Sequence, residues 1–105
     1  MPSLTVTAPT ATPSRVIDMI RATAGYANTP MVCAYLNIRS NSGNAANILY
    51  TGGAGLTTAN AASELSAGQE RIYTSGWQVN AIDLGNKYIL GGAAGVKCDL
   101  DWQAY

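Results

Sequence analysis

Residues 44–69, NAANILYTGGAGLTTANAASELSAGQ, decide the fold class of this chain. One short apolar run, Ile48-Leu49-Tyr50, is followed by a glycine-rich turn at Gly52-Gly53-Ala54-Gly55. A small-residue polar segment, 57–63, comes next, and Ser66-Ala67-Gly68 makes a second turn. Glycine takes positive φ at little steric cost, so the chain reverses tightly at both places. The pattern is a strand, a bend, a second extended piece and a turn into another strand. None of these side chains is suited to acid–base or nucleophilic chemistry.

Outward from that stretch the same rhythm repeats. Residues 32–39 (VCAYLNIR) read as a central strand, and Ser40-Asn41-Ser42-Gly43-Asn44 as a turn that returns the chain through 46–51 as a hairpin. Strands follow at 71–74, 87–90 and 96–102, with an irregular piece at 77–84 and a loop at 91–95. Short strands at roughly ten-residue spacing with Gly/Asn/Ser turns indicate a mainly β chain, a small antiparallel β-sandwich or barrel. Alternation places Leu36, Ile38, Ile72, Leu100 and Trp102 inside.

The N-terminal part reads differently. Residues 1–13 carry no charge and include Pro2, Pro9 and Pro13, which predicts an extended arm ahead of a single domain at 14–105. Leu4 and Val6 alternate with Ser3, Thr5 and Thr7, a pattern suited to adding a strand to the edge of another subunit. Thr12-Pro13-Ser14 reads as a helix start, with Val16, Ile17, Ile20 and Ala24 on one face and Gly25 as the stop. Leu4, Val6, Trp77 and Tyr105 are the candidate interface residues.

Composition narrows the function. At 105 residues the chain is one domain, able to bury about two thirds of its unfolded surface. Charged residues are 11%, against roughly 25% in an average globular protein, which predicts a surface partly covered by partners. Six basic residues are scattered and balanced by six acidic ones, so the concentrated positive field of a nucleic-acid binder is missing. Histidine, the commonest general base and metal ligand, does not occur. No apolar run approaches the roughly 20 residues needed to span a bilayer, and no secretory signal pattern opens the chain. Cys33 is expected to face away from the core with Asn37 and Arg39, and Cys98 into it, leaving both thiols free in a reducing cytoplasm.

Neither glycine-rich loop opens a helix or ends in Lys-Ser/Thr, so both read as turns and not as phosphate cradles. Asp99 and Asp101 share one strand face, but two carboxylates are too few for a cation site. Trp102 continues the inward alternation, whereas Trp77 remains available to a subunit interface or, in a carbohydrate-binding module, to a sugar.

The succession Asn37-Ile38-Arg39-Ser40-Asn41, then 46–60 (ANILYTGGAGLTTAN), Leu65-Ser66-Ala67-Gly68-Gln69 and 88–96 (YILGGAAGV) resembles small β-sandwich structural proteins of tailed bacteriophages. The resemblance covers about 32–102 and leaves 1–30 unmatched. It implies a non-enzymatic virion protein assembled in the host cytoplasm, without cofactor, in which these residues are structural. The expected role is a capsid decoration or cement protein. Its expected partners are the major capsid protein, other virion subunits and further copies of itself, with no nucleic acid and no membrane. A tail or head–tail accessory protein is the alternative.

Overall fold

A computed structural model describes residues 2–74 and 82–104. Its framework is two four-stranded antiparallel sheets. The first has the order β1 (Ser3–Thr7), β10 (Lys97–Gln103), β4 (Tyr35–Ser40), β7 (Glu70–Thr74). The second has the order β2 (Ser14–Arg15), β9 (Tyr88–Gly91), β5 (Leu49–Gly52), β6 (Ser63–Leu65). A two-stranded piece pairs β3 (Val32–Cys33) with β8 (Ile82–Asp83). The chain is a small β-sandwich with, among the described residues, one short α-helix, α1 (Val16–Arg21).

Alternation explains the core. In β10, Cys98, Leu100 and Trp102 are buried while Lys97, Asp99, Asp101 and Gln103 look outward. Leu100 lies across from Ile38, and Trp102 from Leu36, so two strands contribute one apolar face. Leu49 and Ile89 of the second sheet and Val16, Ile17 and Ile20 of α1 join the same cluster. The edge of the Trp102 ring is met by Tyr26, with centroids 5.5 Å apart.

Several expectations are corrected. The segment 1–13 is not an arm that awaits another subunit: β1 pairs along its length with β10 of its own chain, Leu4 opposite Leu100 and Val6 opposite Cys98. The Ala8 amide then donates to Val96 O (2.8 Å), and Pro9 O accepts from the Gly91 amide (2.7 Å), carrying the chain over to the second sheet. The helix starts later than the Thr12-Pro13 signal, because Ser14 and Arg15 are captured by β9 first. Ala24 lies beyond the helix and is exposed, while Gly25 does take positive φ (89°).

The turn after β4 does not make a hairpin. The 3-10 turn at Ser42–Asn44 and the positive φ of Ala45 (54°) swing the chain across, so that β5 belongs to the other sheet and pairs with β6 and β9. Cys33, expected to face outward, is buried, and Val32, expected inside, is 43% exposed. The cause is a β-bulge. The Ala34 amide bonds Gln103 O (2.7 Å) although Gln103 is already paired with Tyr35, so one extra residue reverses the alternation before β4. Ile72 is corrected below.

Candidate interaction surface

The outward face of the first sheet is polar, and its polar groups bind one another. Asp99 accepts from Thr5 Oγ1 (2.8 Å) and from Asn41 Nδ2 (3.0 and 3.3 Å), with Arg39 Nε at 4.0 Å. These donors surround the Asp99 carboxylate. Among the described residues no three His, Cys, Asp or Glu side chains come together as a metal site. Beside them, Asn37 Nδ2 donates to Glu70 Oε2 (2.8 Å), and the buried Asn37 Oδ1 has no partner.

Among the described residues, β7 carries the one aliphatic side chain on this face. Arg71 lies across from Ile38, and Tyr73 from Leu36, so these two point toward the sandwich interior and Ile72 points out, 48% exposed. Ile72 was expected inside because it is the strand's only aliphatic residue. At the margin of a sandwich the inner side is half open, and amphipathic side chains close it better than an aliphatic one. The Arg71 guanidinium stands 5.4 Å from the Tyr73 ring centroid, and Lys87 Nζ of the opposite sheet stands 4.9 Å from it. An open groove of about 520 Å³ runs past this margin, between Ser63, Glu64 and Leu65 on one side and Gln69, Glu70 and Arg71 on the other.

The candidate interface residues separate accordingly. Leu4 and Val6 are half-buried and pack on the chain's own core. Trp77 and Tyr105 lie outside the described residues. Of the described residues, Ile72 and the edge strands β1 and β7 are what this side of the molecule offers.

The turns at 55–60, 66–69 and 91–95 are held by hydrogen bonds within the chain. Asn60 Oδ1 accepts from the Thr57 amide (2.6 Å), and its Nδ2 donates to Gly55 O (3.1 Å). Gln69 Oε1 accepts from the Ser66 amide (2.9 Å). The Gly92 amide donates to Ile48 O (2.9 Å), and a Cβ on Gly92 would come 3.1 Å from both that oxygen and the Tyr50 ring. The glycine-rich segment 52–55 joins β5 to β6 within the second sheet, 91–95 leads from β9 to β10 of the first sheet, and neither opens a helix.

Sequence reasoning missed Asn44. Its side chain is buried and bridges two strands: Nδ2 donates to Ser40 Oγ (2.9 Å) and Lys97 O (2.7 Å), and Oδ1 accepts from the Lys97 amide (2.8 Å). A lone Asn in a Ser/Gly turn gives no local sign of that long-range role. The thiols of Cys33 and Cys98 are both free, and burial raises both above the usual cysteine range, so neither is a ready nucleophile. Their separation has a simple cause. Cys98 sits across from Ser40, and six residues of near-extended chain, about 20 Å, lie between Ser40 and Cys33. Among the described residues no helix is long and apolar enough to cross a membrane. Comparison of the chain with protein-family models, curated proteins and solved structures finds no match.

Proposed function

We propose that this protein is a non-enzymatic structural subunit of a tailed-bacteriophage virion, a decoration protein that binds across neighbouring major capsid subunits. The observation that carries the reading is the use of the polar residues in the segments of phage resemblance. Asn41, Asn60 and Gln69 all bind backbone groups of their own turns. In a catalytic loop, polar groups converge on a common point outside the loop; here they hold a scaffold. A surface with few charges agrees with this role, since interface cores are depleted of charge and an unpaired ion is costly to bury. The exposed Ile72 adds an apolar contact on an otherwise hydrophilic face.

The test is immunogold electron microscopy of purified phage particles with an antibody raised against this chain. Label on the heads is expected. Label confined to the tails would replace decoration by a tail or head–tail role, and particles without label would overturn the virion reading.

A further inference from the structure

We infer that the outer edge of β1 is a self-association site, where a second copy of this chain pairs antiparallel through its own β1 about a two-fold axis at Thr5. The hydrogen-bond phase of β1 fixes which groups are available. The Trp102 amide donates to Pro2 O (3.2 Å) and the Ala8 amide to Val96 O (2.8 Å), so even-numbered residues bond β10. Alternation then turns the amides and carbonyls of Ser3, Thr5 and Thr7 to the open side. Among the described residues β1 has no neighbour there, and all three side chains are exposed.

These three residues are complementary to themselves. A two-fold axis at Thr5 sets Thr5 against Thr5 and Ser3 against Thr7 of the second copy, about six backbone hydrogen bonds in all. Hydroxyl side chains then face each other on the outer surface, a favourable cross-strand pairing. On the inner surface Leu4 meets Val6 of the second copy in the closer, non-hydrogen-bonded pairing, extending the apolar strip from one sandwich into the next. The charges do not oppose this register, because every cross-copy charge pair in β10 lies three strand spacings apart, about 14 Å. Asp101 pairs with Ser3 and Lys97 with Thr7, so each Asp101 falls in one row with Lys97 of the second copy. The two Asp99 carboxylates face each other near the axis at that same separation, beyond the screening length at physiological salt.

The other edge of the same sheet lacks this match. β7 presents Glu70 and Arg71, and charged residues on an edge strand discourage pairing. β1 has no charge and only Pro2 and Pro9 at its borders. A contact of one short strand falls at the small end of interface sizes, below about 1,200 Å², so the dimer is reversible and concentration-dependent. The inference does not depend on the virion reading, because it concerns the purified chain alone.

Sedimentation equilibrium over roughly a hundredfold range of concentration tests it. A reversible monomer–dimer equilibrium is expected. Thr5→Pro removes an amide that bonds nothing among the described residues, a position where an edge strand tolerates proline, and should weaken association at least about tenfold with circular dichroism unchanged. Ile72→Lys, on the opposite edge, should leave association as it was. Should Thr5→Pro not fold, Thr5→Cys treated with a short bifunctional thiol cross-linker decides: a covalent dimer is expected, since Cys33 and Cys98 are buried and do not compete. A chain monomeric at every concentration would overturn the inference. So would a dimer that survives Thr5→Pro but is lost in Ile72→Lys, or a Thr5→Cys chain that gives no cross-linked product.

Discussion

β10 and β7 lie in one sheet, on either side of β4, and hold very different places in the molecule. β10 is paired on both sides, and its inward residues Cys98, Leu100 and Trp102 are at most 3% exposed. Among the described residues, β7 is paired on one side, its aliphatic residue faces solvent, and only its Tyr73 reaches the core. Apolar content alone therefore does not give a strand its energetic weight. What counts is whether both neighbours and the facing sheet close over a side chain. The centre of the sheet carries stability, and its edges remain available for contacts.

The largest expected effect is at the centre. Leu100→Ala should destabilise the fold by about 2–5 kcal/mol in urea unfolding, the range for a fully buried leucine. A loss under about 0.5 kcal/mol would remove β10 from the core and erase the contrast. Asn44→Ala comes next, at about 1–3 kcal/mol, because it strands the Lys97 amide where β10 begins. A silent Asn44→Ala would confine the sensitive centre to apolar side chains. Gly95→Ala, at φ +84°, should cost about 1–2 kcal/mol through backbone strain alone. Ile72→Ala is expected to change stability by less than about 0.5 kcal/mol. A loss comparable to that of Leu100→Ala would show that the face of β7 is assigned wrongly. Thiol chemistry adds a probe without mutation: the native chain should react slowly with a thiol reagent, and the denatured, unreduced chain should yield two thiols. A disulfide would contradict the separation of β3 from β10.

The same contrast explains what was legible in the sequence. Four successive even positions from Val96 to Trp102 are apolar or thiol, and all four are buried as read. Long alternation leaves one register that buries it. β7 offered a single aliphatic residue beside a tyrosine, and the register with β4 put Tyr73 inside. The bulge at Ala34 was invisible because it arises from pairing with Gln103, a distant residue. Three-dimensional pairing also decided the fate of β1. Its extended, uncharged character was plain, but whether its partner was β10 of the same chain or a neighbour was not written locally. Of the candidate interface, Leu4 and Val6 belong to the chain's own core and Ile72 emerged only from the register.

The central claim is that this sandwich is a building block of an assembled particle. A density map of the intact phage particle tests it most directly. The account predicts a β-sandwich of 36 × 28 × 24 Å seated over junctions of the capsid shell, with the side of the molecule that bears Ile72 or β1 in contact with a neighbour. A complete map in which every protein is accounted for and this chain occupies no position would contradict it.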